Sequence, residues 1–316
     1  MKRYMLCILC LCLLVGIFVG CGNEAPSQTT ATTQATESPE EAEVLKIMIL
    51  GSSRSVNAFQ MLHTAFTDQM PDKKVVLGIM YHSGCSMSMH VDFMKNNEAA
   101  YDYYCNTDGR WKITKGVIMD VGLMDQAWDV VVLQAGSGDT ENNMNENARK
   151  YITEYVDGCV QTPHTYWWHS TWFNSTDPVL YDNPVEASQV DQLAQLTQTN
   201  QTAIDTVLDD PMFAGHVTSG TPLMYALKEL NIPEVQLYRD HTHLNDYGCL
   251  MIGYAWYAQF TGNAVTQINL DSVPSHLRHS STQNLGDMAV TAEMKQAIID
   301  TVKYTLDNPW AIPGKE

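Results

Sequence analysis

Short apolar runs recur along the chain, and each is bounded by polar or turn-forming residues. Runs of four to eight apolar residues with such boundaries are typical of strands that are buried on both faces. The five predicted strands are Val44–Leu50, Lys74–Tyr81, Trp128–Gln134, Thr165–His169 and Val235–Tyr238. A hairpin is also predicted where Tyr101–Cys105 and Arg110–Lys115 flank the turn sequence Asn-Thr-Asp-Gly.

Between these runs, apolar residues recur every three to four positions, as one face of a helix requires. The predicted helices cover Val56–Met70, Val190–Leu208, Leu223–Leu230, Tyr247–Ala258 and Met294–Leu306. Alternating strands and helices are typical of a parallel sheet with helices on both faces. Residues 44–316 are therefore predicted to form a single three-layer α/β/α domain around a parallel five-stranded sheet.

The first 20 residues have the pattern of a secretory signal peptide. Lys2 and Arg3 precede an apolar run, Met5–Val19, that is shorter than the roughly 20 residues needed to span a bilayer. The segment from Phe18 to Cys21 (FVGC) resembles a bacterial lipobox, in which small residues precede a cysteine. That resemblance implies cleavage before Cys21 and a lipid on its thiol, which would anchor the protein without a spanning helix.

The segment after the signal peptide differs in composition from the rest of the chain. Residues 22–43 contain five Thr and five Glu but no Lys, Arg, aromatic or large aliphatic residue. Such a segment cannot bury enough apolar surface to offset the entropy lost on folding. Residues 21–43 are therefore predicted to be a lipidated, disordered tether that holds the domain outside the cytoplasm at the bacterial membrane.

The overall composition excludes several classes of function. Hydrophobic residues make up 45% of the 316 residues, which is more than a disordered chain contains. The formal net charge of −18 argues against nucleic-acid binding, which needs basic residues to neutralise phosphates. The motifs GxxxxGK[ST], GxGxxG, HExxH and GxSxG are absent from the sequence.

Four cysteines remain after the predicted signal peptide and lipidation site. They are Cys85, Cys105, Cys159 and Cys249, and none has CxxC spacing. Outside the cytoplasm they could form two disulfides in three possible connectivities, or they could be buried free thiols.

The candidate chemistry follows the predicted strands, where open α/β sheets carry their sites. Ser53 follows the first strand, and Asp240 and His243 follow the last one. A serine hydroxyl becomes a nucleophile when a histidine accepts its proton and a carboxylate orients that histidine. The backbone N–H of Gly84, after the second strand, and a side chain at Gln134 or Ser137 are candidate oxyanion donors.

These residues and their order resemble the SGNH/GDSL hydrolase superfamily. The resembling blocks are Gly51-Ser52-Ser53, Gly84 and Asp240-x-x-His243. The segments from Val132 to Ser137 (VLQAGS), from Trp167 to Trp172 (WWHSTW) and from His243 to Gly248 (HLNDYG) are similar to an uncharacterised branch, a domain of unknown function. The resemblance covers roughly residues 45–310.

The resemblance implies a Ser53–His243–Asp240 triad and an oxyanion hole made by the N–H groups of Ser53 and Gly84 with a third donor. Ser52 stands where the superfamily has Asp or Asn, and the usual third-block Asn is absent. Gln134 is the preferred third donor and Ser137 is the alternative. The implied activity needs no metal or cofactor. It is the removal of a small acyl group, most often acetate, from a carbohydrate or cell-wall glycan.

Two other functions are compatible with these residues. The fold could be a catalytically inactive, glycan-binding relative, since Ser52 and the missing Asn depart from the pattern. Alternatively, His241 and His243 could bind zinc with Asp240, Asp246 or His82 as a third ligand. The aromatic residues of the predicted strands could stack on sugars, although aromatic residues in strands more often belong to the core. These are Tyr101, Tyr103, Tyr104, Trp111, Tyr166, Trp168 and Trp172.

Overall fold

The structure is a computed structural model that describes residues 43–134, 146–269, 276–278 and 287–314. The predicted signal peptide at 1–20, the predicted lipid site Cys21 and the tether up to residue 42 lie outside these ranges, as does Ser137. Within the described ranges, no helix has both the length and the apolar character needed to cross a bilayer.

The described residues alternate between strands and helices for most of their length. The strands are β1 (Val44–Gly51), β2 (Lys74–Tyr81), β3 (Tyr101–Asn106), β4 (Trp111–Val117), β5 (Val130–Gln134), β6 (Thr165–Ser170), β7 (Phe213–Thr218), β8 (His276–Arg278) and β9 (Asp287–Ala289). The helices are α1 (Ser53–Gln60), α2 (Leu62–Gln69), α3 (Met87–Asn96), α4 (Met119–Leu123), α5 (Glu146–Cys159), α6 (Gln192–Thr206), α7 (Gly220–Lys228), α8 (Glu234–Leu237), α9 (Asp246–Thr261) and α10 (Ala292–Asp307). Two short 3-10 helices, Pro178–Leu180 and Pro184–Gln189, lie between β6 and α6.

The main sheet is mixed and has seven strands in the order β4-β3-β2-β1-β5-β6-β7. Neighbouring strands from β2 through β1, β5 and β6 to β7 pair in parallel, whereas β3 and β4 are antiparallel. The prediction of an α/β fold with helices on both faces of the sheet is confirmed. The prediction of a purely parallel five-stranded sheet is wrong, because the predicted hairpin joins the same sheet as β3 and β4.

The fifth parallel strand is also not the predicted one. Val235–Tyr238 is not a strand, because Glu234–Leu237 forms the short helix α8, which begins after Pro233. Proline is favoured at a helix start, where its fixed φ and missing N–H cost nothing. The fifth parallel strand is β7, whose sequence FAGHVT contains Gly215 and His216 and lacks a continuous apolar run. The glycine is needed because the Trp167 ring lies against it, 2.7 Å from where a side-chain carbon would be.

The sheet separates two apolar cores. Alternate residues of a strand point to opposite faces, so Ile47 and Ile49 of β1 pack in one core and Met48 and Leu50 in the other. The first core includes residues of α1, α2, α7, α9 and α10, and the second includes residues of α3, α4 and α5. Helix α9 is buried along most of its length, from Asp246 to Ala258. The resulting rigid centre fixes the ends of β1 and β5.

The order of the strands places a topological switch point at the carboxyl ends of β1 and β5. The chain goes from β1 to β2 on one side of β1 and later places β5 on its other side. Ligand sites in open α/β sheets lie at such a switch point, outside the carboxyl ends of the strands. Gly51 ends β1 and Gln134 ends β5, so the predicted first and third blocks lie at this point.

The four cysteines of the domain are separate free thiols. Cys85 and Cys249 are buried, and Cys105 and Cys159 are half-buried. Burial raises the pKa of the Cys85 thiol to about 12, which keeps it protonated and unreactive at neutral pH. Of the two alternatives left by the sequence, the free-thiol one matches the structure.

Candidate active site

Ser53 is the first residue of α1, directly after the end of β1. Ser52 precedes the helix in an extended conformation, with its side chain hydrogen-bonded to Gln134 rather than to the helix, and α1 is eight residues long. The N-terminus of a helix carries a partial positive charge and N–H groups without helical partners. The half-buried Ser53 side chain therefore lies where a developing negative charge would be stabilised.

Asp240 and His243 lie in the turn that leads into α9. One carboxylate oxygen of Asp240 accepts the backbone N–H groups of Thr242 and His243, at 2.9 and 2.7 Å. The turn ends at Asn245, whose side chain caps α9 by accepting from Tyr247 and Gly248. The carboxylate and the helix cap together fix the conformation of this turn.

The three predicted catalytic side chains are in hydrogen-bond contact. His243 Nε2 lies 2.9 Å from Ser53 Oγ, and His243 Nδ1 lies 3.0 Å from both carboxylate oxygens of Asp240. The side chains of His243 and Asp240 are 25% and 31% exposed, so a substrate can reach the group from solvent. The structure thus brings together residues that are 190 positions apart in the sequence.

The Asp240 carboxyl is held in its ionised form. Burial alone would raise the pKa of Asp240, but the hydrogen bonds from the His243 ring and from the N–H groups of Thr242 and His243 outweigh that effect. The pKa of Asp240 therefore lies well below its usual range. An ionised carboxylate at Nδ1 favours the tautomer in which Nε2 can accept a proton from Ser53.

Gln134 is buried beneath the turn that carries Ser53. Its Nε2 donates to Ser52 Oγ at 3.0 Å, and its Oε1 accepts the Ser52 N–H at 3.3 Å and the Ser55 hydroxyl. A side-chain carbon on Gly51 would lie 2.8 Å from Gln134 Oε1, so only glycine allows this approach. The carboxamide is thus part of a buried group with Ser52 and Ser55, adjacent to Ser53.

Gly84 lies in an exposed turn after β2, next to the end of β1. Its φ of +62° is in the left-handed region, which favours glycine. A side-chain carbon there would meet no atom within 4 Å, so the space beside it is open. The N–H of His82 donates to Gly51 at 3.3 Å, which ties this turn to the one that carries Ser53.

The residues proposed for other roles lie elsewhere. His241 is exposed and stacks on Tyr181, with ring centroids 4.7 Å apart. Among the residues that the structure describes, no three His, Cys, Asp or Glu side chains are grouped so that they could hold a metal ion. Of the aromatic candidates, the buried ones are Tyr101, Tyr103, Tyr166, Trp168 and Trp172, and the half-buried ones are Tyr104 and Trp111.

The sequence analysis missed two residues near the site. Arg54, the residue after Ser53, is buried, and its guanidinium contacts Asn174 and the backbone of Trp172. Arginine is seldom fully buried without a partner, so an arginine in a helix that packs on the core is unusual. That position was the available signal for Arg54. Asn174 carries no comparable signal, because its contacts are with residues far away in the chain.

Comparison with protein families places the chain in one of them. Residues 46–285 match the family described as Domain of unknown function (DUF4886). The match covers most of the chain, so the chain is a member of this family. No curated protein matches the chain.

Similar solved structures include a DUF4886 family protein from Bacteroides uniformis. It shares 19% identity at a TM-score of 0.68, over 85% of this chain and 97% of that chain, and this likeness shows a shared fold. A catalytic mutant of an acetylxylan esterase from Geobacillus stearothermophilus matches with a TM-score of 0.41 and 10% identity, over 69% of this chain and 94% of that chain. An acetyl xylan esterase matches with a TM-score of 0.37 and 13% identity, over 68% of this chain and 99% of that chain.

Proposed function

We propose that this protein is an SGNH-type serine esterase that removes small acyl groups. Ser53 is the nucleophile, His243 is the general base and Asp240 orients His243. The observation that carries the proposal is the continuous hydrogen-bonded series from Ser53 Oγ through the His243 ring to the Asp240 carboxylate, with distances of 2.9 and 3.0 Å. Such a series, open to solvent at a switch point of the sheet, matches the requirements of nucleophilic catalysis.

In the first step, Ser53 Oγ attacks the ester carbonyl carbon while its proton moves to His243 Nε2. The tetrahedral intermediate collapses when the bond to the alcohol oxygen breaks and His243 returns the proton to that oxygen. An acyl-enzyme on Ser53 remains. Water then attacks the acyl carbon with His243 again as base, which releases the carboxylic acid and restores the Ser53 hydroxyl.

The negative charge on the carbonyl oxygen needs hydrogen-bond donors that are in place before the reaction. We assign this role to the backbone N–H groups of Ser53 and Gly84. Ser53 begins helix α1, and the open space beside Gly84 leaves room for an acyl group. Gln134, whose amide contacts Ser52 next to Ser53 in the chain, is the proposed side-chain donor, and Ser137 is the alternative.

The proposed substrate is an acylated carbohydrate or cell-wall glycan, and the proposed acyl group is acetate. Support comes from the resemblance of the sequence blocks to the SGNH superfamily, which includes carbohydrate acetylesterases. The lipobox at Cys21 and the acidic tether behind it support a position outside the cytoplasm, with the protein attached to the membrane by its N-terminal lipid alone. Neither the proposed chemistry nor the proposed anchor requires a cofactor.

The zinc-dependent alternative has less support from the described residues. His243 Nε2 is directed at Ser53 and its Nδ1 at Asp240, while the His241 ring stacks on Tyr181. An inactive glycan-binding relative would need no series of hydrogen bonds to a solvent-accessible serine. The esterase therefore remains the proposal that uses the whole arrangement.

Hydrolysis of p-nitrophenyl acetate by the purified domain tests the proposal. We expect steady turnover by wild-type protein, with a burst of up to one equivalent of p-nitrophenol per protein if water attacks the acyl-enzyme more slowly than it forms. Turnover that is absent in wild-type protein, or that is abolished by EDTA and restored by zinc, would contradict it.

The anchor is tested separately in the full-length chain. Replacing Cys21 with Ala should leave an uncleaved or mislocalised precursor, because the lipidated thiol is missing. Cell fractionation compares this variant with a Cys249→Ala control. A Cys21→Ala protein that still fractionates as a mature membrane lipoprotein would show that the anchor assignment is incorrect.

A further inference from the structure

The proposed nucleophile and its base are carried by separate parts of the chain, so their distance must be fixed by other contacts. Ser53 begins α1, and His243 lies in the turn before α9. The hydrogen bond between their side chains is 2.9 Å long. A displacement of about 1 Å between reacting groups can reduce a rate on the order of 100-fold. A physical connection between the two parts would therefore matter for the rate.

Arg54 provides the first half of such a connection. Its side chain leaves α1 one residue after Ser53 and is 5% exposed. One guanidinium nitrogen donates to the backbone carbonyl of Trp172, and the other donates to Asn174 Oδ1 at 2.7 Å. The guanidinium carbon also lies 5.5 Å from the centre of the Trp172 ring. Burial lowers the pKa of Arg54 to about 10, so the side chain stays charged at neutral pH.

The segment 172–175 provides the second half, because it holds the turn that carries His243. The Trp172 indole N–H donates to the carbonyl of Thr242 at 2.9 Å, and the Ser175 N–H donates to the carbonyl of His241 at 2.8 Å. Thr242 Oγ1 donates to Asn174 Oδ1 at 3.4 Å. Asn174 Oδ1 is thus shared by Arg54 on one side and by the base-carrying turn on the other.

We propose that Arg54 is a positioning residue that, through Trp172 and Asn174, fixes the distance between Ser53 and His243. This inference rests on the proposed esterase function. The guanidinium donates to Trp172 and Asn174 and not to Ser53 or His243, so the proposed action is through the alignment of those two residues. The guanidinium is suited to the role because it donates several hydrogen bonds in a fixed plane, which a lysine cannot do.

The test replaces the guanidinium and measures turnover per active site. Arg54→Met keeps an apolar stem and removes the donors, and we expect kcat to fall about 10- to 100-fold with KM changed less than about threefold. Titration with a fluorophosphonate counts the sites that can react, so kcat is expressed per reactive site. A residue that only stabilises the fold would lower the number of sites and leave kcat per site unchanged.

Two further variants keep the test valid if Arg54→Met folds poorly. Asn174→Ala removes the shared acceptor, and Trp172→Phe removes the indole donor while keeping an aromatic ring beneath Arg54. We expect each to lower kcat per site about 3- to 30-fold. The matched control is Arg149→Met. Arg149 is also a buried arginine, but it lies on helix α5, which packs on the other face of the sheet, and it pairs with Asp210. This control should lower the unfolding temperature and leave kcat per site unchanged.

The outcomes separate this inference from the proposed function. If Ser53→Ala removes hydrolysis but kcat per site in the Arg54, Trp172 and Asn174 variants equals that of wild type, the positioning role is wrong and the esterase stands. If Ser53→Ala hydrolyses as fast as wild type, the proposed function itself is wrong. An equal loss of kcat per site in Arg149→Met would also overturn the positioning role.

Discussion

Two histidines at the carboxyl ends of the strands each contact a serine. The two pairs differ in their exposure to solvent and in the partner of the second histidine nitrogen. His243 Nε2 lies 2.9 Å from Ser53 Oγ, and His169 Nε2 lies 3.0 Å from Ser219 Oγ. His243 is partly exposed and has the Asp240 carboxylate at its second nitrogen. His169 is fully buried, and the structure shows no partner for its second nitrogen.

The difference shows what a histidine–serine contact needs before it can act. Burial lowers the pKa of His169 to about 3, with a smaller effect from the charge of Arg54, so this ring stays neutral over the physiological range. The Ser219 oxygen also accepts the Trp256 indole N–H at 2.9 Å. No substrate can reach that oxygen. The pair at His169 therefore supports the core, and the pair at His243 has the carboxylate and the access that catalysis requires.

The largest expected effect on activity comes from Ser53→Ala, compared with Ser219→Ala in the buried pair. Ser53→Ala should lower kcat/KM for p-nitrophenyl acetate about 10⁴-fold or more, because the nucleophile is removed. Ser219→Ala should change it by less than about threefold and should lower the free energy of unfolding by about 1–3 kcal/mol, because it leaves the buried Trp256 indole N–H without an acceptor. Kinetics and thermal unfolding on the same samples check both results. The reverse ranking would assign the chemistry to the buried pair.

The next effect comes from making the His243 site resemble the His169 site by removing its carboxylate. Asp240→Asn should lower kcat about 10²- to 10⁴-fold, since the amide no longer favours the tautomer that accepts the Ser53 proton. The matched control is Asp129→Asn, because the Asp129 carboxylate accepts a backbone N–H from Lys46 at the opposite edge of the sheet. Steady-state kinetics with p-nitrophenyl acetate measures both. Wild-type kcat in Asp240→Asn would remove Asp240 from the proposal.

A smaller effect is expected from the buried carboxamide beneath Ser53, which the His169 pair lacks. If Gln134 donates to the oxyanion, Gln134→Ala should lower kcat about 10²- to 10³-fold with little change in KM. Ser52→Ala, which removes a partner of the same amide, is the matched variant and should cost less than about tenfold. Equal losses in both variants, with no further loss in the double variant, would mean that Gln134 only supports the turn.

The smallest effect concerns the pH dependence of stability. His169 has a folded-state pKa below that of an unfolded histidine, about 6.5. The unfolded chain therefore binds more protons as pH falls from 6.5 toward 3, and stability present above pH 6.5 is lost across that window. Between pH 7 and pH 5 this one group should lower the free energy of unfolding by about 2 kcal/mol.

His169→Gln keeps a polar group beside Ser219 and removes this titration. The free energy of unfolding, measured with urea, should fall between pH 7 and pH 5 in both proteins. The fall should be about 2 kcal/mol smaller in His169→Gln than in wild type. The buried His90 has a similarly lowered pKa and should keep part of the pH dependence in both proteins. An identical decrease in the two proteins would show that His169 is not the neutral, buried residue described above.

Much of the fold could be predicted where the hydrophobic pattern of a segment matches its burial in the folded domain. Strands β1, β2 and β5 are mostly apolar and buried, and the last helix, α10, buries Ile298, Val302 and Thr305 at helical spacing. Prediction failed at β7, where Gly215 and His216 interrupt the pattern and the neighbouring Trp167 ring explains the glycine. It also failed at α8, a four-residue helix. Its apolar Leu237 is buried against the core, and a sequence this short cannot distinguish that from a buried strand.

The candidate site likewise has residues that the sequence could predict and contacts that it could not. Ser53 could be predicted from its position after the strand β1, and Asp240 and His243 from the Asp-x-x-His spacing, although the helix α8 and not the predicted strand precedes them. The contacts that hold them could not, because Arg54, Trp172 and Asn174 meet across more than 100 positions with no repeating pattern. Hydrogen bonds of this kind follow from packing of the whole domain and leave no local signal in the sequence.

Covalent labelling with a fluorophosphonate, followed by peptide mapping, tests the central claim most directly. The proposal predicts one label per chain, on Ser53, because this hydroxyl contacts a partly exposed histidine whose second nitrogen faces the Asp240 carboxylate. Labelling should be lost in His243→Ala and retained in Ser219→Ala. A folded wild-type protein that takes no label, or a label on another serine while hydrolysis continues in Ser53→Ala, would contradict the account.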